Sequence, residues 1–375
     1  MNNPIVISIG GNDYSGWTKA KVSRSIDAMA GSFSMSVAFE GADFINQVVG
    51  TREIKKGSEC TVSIAGQLVI TGSLEKRKSS GSKTRYTLSV EGRSKTKRLI
   101  KSSPKGKEIQ FNNRKRTDIV KKIASDLGVE VKDKSNDSSK VYRHIMSDGI
   151  TAGQEIYNVA REAGIQLSDD ENGNLVILNP DGDGQGDDIE LGVNIEEWTA
   201  DLSEEDEKKE YQAAGHSVPT DNKYGKDAVN AAVKAIEETF KSPEIRRIRV
   251  DSDVDVDTLK KRAALEARRS SAESNSITIK TKDITQKNGK LWSPNTKHRV
   301  SIWVDGIDIV MLLKSVEWEF DKGECSVSLT FTKEKGHSNS TSKGAKNQST
   351  KSGSKAGSAT GEFWESSELI SETDT

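Results

Sequence analysis

Along the first ninety residues, apolar and polar positions alternate. Ile5, Ile7 and Ile9 take every second position, and so do Phe33, Met35, Val37 and Phe39, which is the period of a strand with one buried face. Gly10-Gly11-Asn12-Asp13 and Gly57-Ser58 mark turns, and the run from Val62 to Ile70 reads as a hairpin turning at Ala65-Gly66. Tyr86-Thr87-Leu88-Ser89-Val90 closes the set. Short antiparallel strands at this spacing predict a small barrel or sandwich.

After Arg93 the period changes. Ile119, Val120, Ile123, Ala124 and Leu127 fall on one helical face, and Gly128 supplies a stop. A second helix is predicted from Thr151, with Gln154 completing a capping box and Ile156, Val159, Ala160 and Ala163 forming the apolar stripe up to Gly164. Strands from Ile165 to Ser168 and from Leu175 to Leu178 flank Asn172-Gly173, a hairpin signal. The stretch from Asp181 to Glu210 has little periodicity and reads as a linker or a solvated face. Val229, Ala232, Val233, Ile236 and Phe240 have helical spacing, as do Leu259, Ala263 and Ala267. Strands return at Ile277 to Ile279, at Val300 to Val304 and at Ile307 to Glu319, with Asp305-Gly306 as a two-residue turn between the last two.

Charge changes this picture by being segregated. Lys plus Arg number 56 and Asp plus Glu 57 in 375 residues, yet residues 93–122 hold twelve basic and two acidic side chains, and residues 169–210 hold sixteen acidic and two basic. A dedicated nucleic-acid protein is usually basic overall. Stacking on bases also needs aromatics, and Phe111 is the only one between Gly92 and Lys122. Hydrophobic content of 33% against 30% charged residues suits a subunit that completes its burial with partners. From about Lys335 the chain is rich in Ser, Lys, Gly, Thr and Asn and predicts a flexible tail. Its tip differs: Phe363, Trp364, Leu369 and Ile370 stand among Glu residues, the composition of a docking peptide.

The sequence offers no catalytic or cofactor-binding constellation. His144, His216, His298 and His337 lack partners at ligand spacing, and there is no G-x-S-x-G, Walker A or G-x-G-x-x-G motif. Asp181-Gly182-Asp183-Gly184-Gln185-Gly186 opens like a calcium loop, but Gly192 stands where the bidentate Glu belongs, so a polar turn is the better reading and no metal site is assigned. Cys60 and Cys325 are far apart in strand-like contexts and read as buried free thiols. The N-terminus lacks a basic and apolar leader, and no run approaches the ~18 apolar residues of a spanning helix, so a protein without membrane insertion is expected.

Several segments resemble the Mu-type phage tail protein P family, the baseplate hubs of contractile tails. They are Gly16-Trp17-Thr18, Val22 to Asp27 and Ala30-Gly31-Ser32-Phe33; Gly66 to Leu74; Val90 to Ile100; Ile156 to Leu178; Gly289 to Asn295; and Leu312 to Trp318. They occur in the family's order over roughly residues 5 to 333, and Lys101-Ser102-Ser103-Pro104-Lys105 departs from the family pattern toward basic character. The family resembles in architecture the hub of T-even phages and the hub-like part of type VI secretion VgrG spike proteins. The resemblance implies a non-enzymatic homotrimer whose paired barrel-like domains adapt a six-fold tail tube to a three-fold central spike. Its implied partners are the spike, the first tube ring and other baseplate proteins, with DNA passing through the lumen. It implies a place in the virion tail baseplate after assembly in the host cytoplasm, and no cofactor.

Together these readings predict an α+β, mainly β fold. Residues 1–92 are expected to form a first β-barrel-like domain, 93–190 a mixed α/β domain, 191–334 a second β-barrel-like domain with inserted helices, and 335–375 the tail. Arg93, Lys95, Lys97, Arg98 and Lys101 are candidates for a basic interface patch, facing Asp169, Asp170, Glu196 and Glu197 of a neighbouring subunit. Phe363, Trp364, Leu369 and Ile370 are the candidate docking tip, and Trp17, Trp292 and Trp318 suit either an interface or the core. Two alternatives stand beside the hub: a nucleic-acid-binding protein using 93–122, and a tail-associated cell-wall hydrolase, for which no acid and nucleophile pair is in view.

Overall fold

The structure is a computed structural model and describes residues 3–40, 54–203, 208–216, 231–236, 243–253 and 256–333. Seven strands come first: β1 (Ile5–Ile9), β2 (Asn12–Tyr14), β3 (Lys19–Ser25), β4 (Ser32–Glu40), β5 (Glu59–Ile64), β6 (Gln67–Gly81) and β7 (Arg85–Ser94). They pair antiparallel in the order β2-β1-β5-β6-β7-β4-β3. Alternation decides which face is covered: Ile5, Ile7, Val62, Ile64, Leu88 and Val90 are all fully buried, and the residues between them are not. The turn between β5 and β6 holds Ala65 at φ 49° and Gly66 at φ 77°, the positive angles that a tight two-residue hairpin needs.

A mixed unit follows, made of α1 (Lys97–Lys101), β8 (Gln110–Lys115), α2 (Arg116–Ser125), β9 (Val131–Asp133), β10 (Lys140–Ile145), α3 (Ala152–Glu162), β11 (Leu167–Asp169) and β12 (Leu175–Ile177). Ile119, Val120 and Ile123 of α2 share a core with Ile156, Val159 and Ala160 of α3. The helix ends lie where the sequence places them, with the Thr151 half of the capping box in place. Gly128 turns left-handed at φ 71° and Val129 N–H donates to Ala124 O at 3.1 Å, while Thr151 Oγ1 accepts from Gln154 N–H at 3.2 Å. The loop between β11 and β12 spans residues 170–174 and contains Asn172-Gly173, as the sequence places it. Asp170 organises it by accepting from the N–H groups of Asn172 and Asn174 at 3.0 and 2.8 Å.

The remaining elements are β13 (Ile189–Glu190), β14 (Glu197–Leu202), β15 (Glu210–His216), β16 (Ala231–Ile236), β17 (Ile245–Asp253), α4 (Val256–Glu273), β18 (Asn275–Thr281), β19 (Lys297–Ile302), β20 (Ile307–Asp321) and β21 (Glu324–Lys333). β15, β16 and β17 form a separate sheet with β15 central, and Leu259, Ala263 and Ala267 of α4 pack onto its Tyr211, Ala213 and Val250. The helix expected around Val229 to Phe240 is therefore corrected: residues 231–236 pair antiparallel with β15, and Val229 and Phe240 lie outside the described residues. A short apolar run satisfies either period, and here the partner strand decides. The acidic stretch from Asp181 is likewise no bare linker, because it contains β13 and β14. Between β19 and β20 the turn is four residues long, with a 3-10 turn at Trp303–Asp305 and Gly306 at φ 67°.

β20 unites the two ends of the chain. It pairs with β19 over residues 307–312, with β3 over 315–321, and with β21 on its other side. Thirteen strands so form one continuous sheet, whose main path runs from β14 to β2. Through the pairing of the described strands, neither half closes into a barrel. The β3–β20 seam is specified by charge as well as register: Lys21 Nζ lies 2.6 Å from Glu317, and Lys19 Nζ lies 3.1 Å from Glu319 and 3.4 Å from Asp321. Trp318 sits opposite Val22 on the covered face, and Trp17, Trp292 and Trp318 all join the main core. Their ring N–H groups donate to backbone carbonyls of Tyr14, Asp283 and Ile284 at 2.8, 2.7 and 3.4 Å. The choice left open by the sequence is thus resolved in favour of core packing.

Candidate assembly interface

The basic stretch after β7 is largely compensated inside the chain. Arg93, Lys97 and Lys101 converge on Glu75 of β6, at 3.3, 3.8 and 2.6 Å, and Arg98 lies 3.8 Å from Glu59. The cause is local: β7 runs beside β6, and α1 folds back over them so that its basic side chains cross the Glu75 position. Partial burial alone would push the Glu75 carboxyl up, but Lys101, Arg93 and Lys97 together hold it below the usual carboxylate range. Lys97 moves down because burial disfavours its charge, an effect that Glu75 opposes. Lys95 is half-buried, and its side chain lies near Gly173.

The acidic candidates separate into two kinds. Asp169 and Asp170 are turned inward, which removes them from any exposed patch. Asp169 accepts from Gly31 N–H at 2.8 Å and faces Arg24 at 3.7 Å, so it fastens β11 to the loop between β3 and β4. Burial pushes the Asp169 carboxyl up, against the pull of Arg24. Asp170 holds its own loop and binds Lys132 at 2.7 Å. Glu196 and Glu197 are exposed at the start of β14, with Lys282 and Lys280 at 3.7 and 3.8 Å. The candidate tip Phe363, Trp364, Leu369 and Ile370 lies outside the described residues.

An exposed apolar end went unread in the sequence. Trp303, Val304, Ile309 and Val310 surround the β19–β20 turn with exposures of 72, 49, 45 and 44%. Val193 adds to the same end, because Leu191 N–H donates to Ser301 O and β13 pairs with β19. Trp198 Nε1 donates to Asp305 at 2.8 Å and braces the turn. The available signal was a Trp placed directly before a turn, where a one-sided strand would have ended. Large apolar groups gathered at an exposed turn mark an interaction surface. Elsewhere, a cleft of about 720 Å³ lies between the first sheet and the mixed unit and is lined by Met29, Phe33, Glu75, Arg93, Ile100 and Gln154.

The remaining polar candidates from the sequence are engaged in packing and loop contacts. His298 is fully buried between Trp292 and Phe331, with its Nδ1 donating to Asp187 O at 2.8 Å, and burial lowers its pKa. The loop first weighed as a calcium site is stitched to β19 and its approach: Asp183 N–H donates to Asn295 O at 2.6 Å and Gly186 N–H to Lys297 O at 2.9 Å. A Cβ on Gly186 would lie 2.2 Å from His298 Cε1, which explains glycine there. Among the described residues no three His, Cys, Asp or Glu side chains are placed to hold a metal ion. Burial pushes the Cys60 thiol to about 12 and the Cys325 thiol to about 11, so neither is poised as a nucleophile.

Comparison with known proteins gives this arrangement its context. Residues 4–94 match the family described as Mu phage baseplate assembly protein GpP-like, N-terminal, and residues 96–179 match the second domain of the baseplate hub protein gp44-like family. The chain is 26% identical over 306 residues to baseplate hub protein gp44 of Escherichia phage Mu, covering 79% of this chain and 78% of that protein. The crystal structure of a 43 kDa tail protein from prophage MuSo2 of Shewanella oneidensis is 26% identical with a TM-score of 0.78, over 89% of this chain and 99% of the other. An E. coli component of the type VI secretion system, described as structurally similar to the T4 tail proteins gp27 and gp5, shares the fold alone, with 10% identity and a TM-score of 0.55 over 87% of this chain and 76% of the other. With both domain matches in order and a relative aligned across most of each chain, this protein resembles the Mu-type baseplate hub proteins over most of its length.

Proposed function

We propose that three copies of this chain form the central hub of a contractile tail baseplate, joining a six-fold tail tube to a three-fold spike. The observation that carries this reading is the single sheet in which a seven-strand unit and a six-strand unit meet at β3 and β20. Three such chains present six β units in a ring, which is what a junction between three-fold and six-fold symmetry requires. The barrel-like character of each unit belongs to that assembled ring. The exposed Trp303 end supplies apolar surface for a neighbouring protein, whereas the basic candidates Arg93, Lys97 and Lys101 are already engaged by Glu75. The role is structural, with no catalytic step, in the virion tail after assembly in the host cytoplasm, and DNA passes through the lumen. Native mass measurement of the purified protein, alone and with its spike partner, tests the proposal. A trimer in either condition supports it, and a strict monomer in both sinks it.

A further inference from the structure

The turn between β19 and β20 closes one face of the β13–β19–β20 section. By register Glu190 lies beside Ser301, Ser301 beside Asp308, and Arg299 beside Val310, so these side chains share a face. Ile189, Val300, Ile302 and Ile307 are buried on the other face, to which Ile309 also belongs. Asp188, Glu190, Arg299, Asp308 and Val310 are exposed, and the face ends at exposed Trp303 and Val304. One arginine serves three carboxylates. Arg299 donates through Nε and Nη2 to the two oxygens of Asp308 at 2.7 Å each, and its Nη1 lies 4.0 Å from Asp188. Glu190 is within electrostatic reach of the same guanidinium, and all three carboxylates favour its charged form. Lys297, two positions back on this face, is half-buried with its Cε beside Gly182, at the end away from the turn. The result is an apolar tip, held still by the bond from Trp198 to Asp305, with a carboxylate-rich frame on one side.

We propose that this end is the docking site for the three-fold spike, which meets it with an apolar hollow rimmed by Lys or Arg. The inference rests on the hub reading above and adds which surface serves which partner. Number decides between spike and tube. A six-fold tube ring needs equivalent contacts from both β units of each chain, and the first unit offers no counterpart. Among the described residues up to Ser94 the only exposed large apolar side chain is Leu68, at 37% against 72% for Trp303. Three chains therefore present three Trp303 ends, the number that a three-fold partner takes. Charge decides the partner's chemistry. Carboxylates beside an exposed Trp select a guanidinium or ammonium, which the ring face attracts as well. The same charges oppose a second copy docking through this patch, since an isologous contact would set carboxylate against carboxylate.

Calorimetric titration of the full-length protein with its purified spike, and separately with its purified tube protein, tests the assignment. Spike affinity should fall about tenfold in Trp303→Ala and again in the Asp188→Lys/Glu190→Lys variant. Wild-type affinity should also weaken between about 0.1 and 0.5 M salt. Tube binding should be unchanged in both variants. Spike binding that is absent from the wild type, or indifferent to both variants, overturns the proposal. Tube binding lost in the same variants overturns it too, by giving the surface to the tube. Native mass separates this from the hub reading: a trimer whose spike affinity ignores both variants removes the assignment and leaves the hub standing, whereas a strict monomer removes both. All three substitutions are on exposed side chains, so an unchanged melting temperature verifies that lost binding reflects lost docking.

Discussion

At the scale of single residues, two positions carry sharp expectations. Gly72 lies where β6 meets the end of β7, and a Cβ there would sit 1.9 Å from the backbone oxygen of Arg93. Backbone cannot yield as a flexible side chain would, so Gly72→Ala should destabilise the chain by about 3 kcal/mol, visible as a lowered midpoint in chemical denaturation. Gly66→Ala, with open space at its Cβ but φ at 77°, should cost about 1 kcal/mol from backbone strain. Glu75 gives a pH signature. Its folded-state pKa is depressed, so the stability it contributes is present above the unfolded value of about 4.3 and is lost as pH falls through the folded value. Stability curves for wild type and Glu75→Gln should therefore differ most near neutrality and converge toward pH 3. The inward turn of Asp169 and Asp170 was half-legible: an Asp two residues before Asn-Gly signals a loop-organising side chain, but nothing local reveals the Arg24 and Gly31 contacts made across the fold.

At the scale of elements, the strands with clean alternation and the helices with caps were read correctly, because each of these signals lies within a few residues of sequence. β1, β4, the Ala65-Gly66 hairpin, α2 and α3 belong to this group. β16 did not, because Ala231 to Ile236 is short and apolar except for Lys234, and its strand identity comes from β15. The turn after β19 was placed but not sized, since Trp303 and Val304 leave the strand they seem to continue. The Trp303 end gives an element-scale test. Trp303→Ala should leave the melting temperature within about 1 °C, given that the ring is 72% exposed, and should reduce co-purification with baseplate partners. Trp318→Ala, in the core seam, should cost about 3 to 5 kcal/mol and serves as the contrasting case.

At the scale of the whole molecule, the likeness to baseplate hub proteins was legible from ordered short segments, whereas the joining of the chain's two ends was not. Val22 and Trp318 pair across nearly the full described length, and no local pattern announces such a partner. The seam nevertheless left a trace, in Lys19 and Lys21 at alternate positions and Glu317, Glu319 and Asp321 at the complementary ones. This has a consequence during synthesis. The seven N-terminal strands can pair among themselves as soon as β7 has emerged, but β3 must wait for β20, which at about 5 to 20 residues per second arrives tens of seconds later. For that interval β3 is a bare strand edge on a crowded ribosome, the kind of edge that recruits neighbouring nascent chains. Its lysines repel an identical edge from a sister chain and admit only a strand that brings carboxylates at matching intervals, so the ion pairs of the finished seam act earlier as a lock that keeps the place vacant for its own C-terminal half.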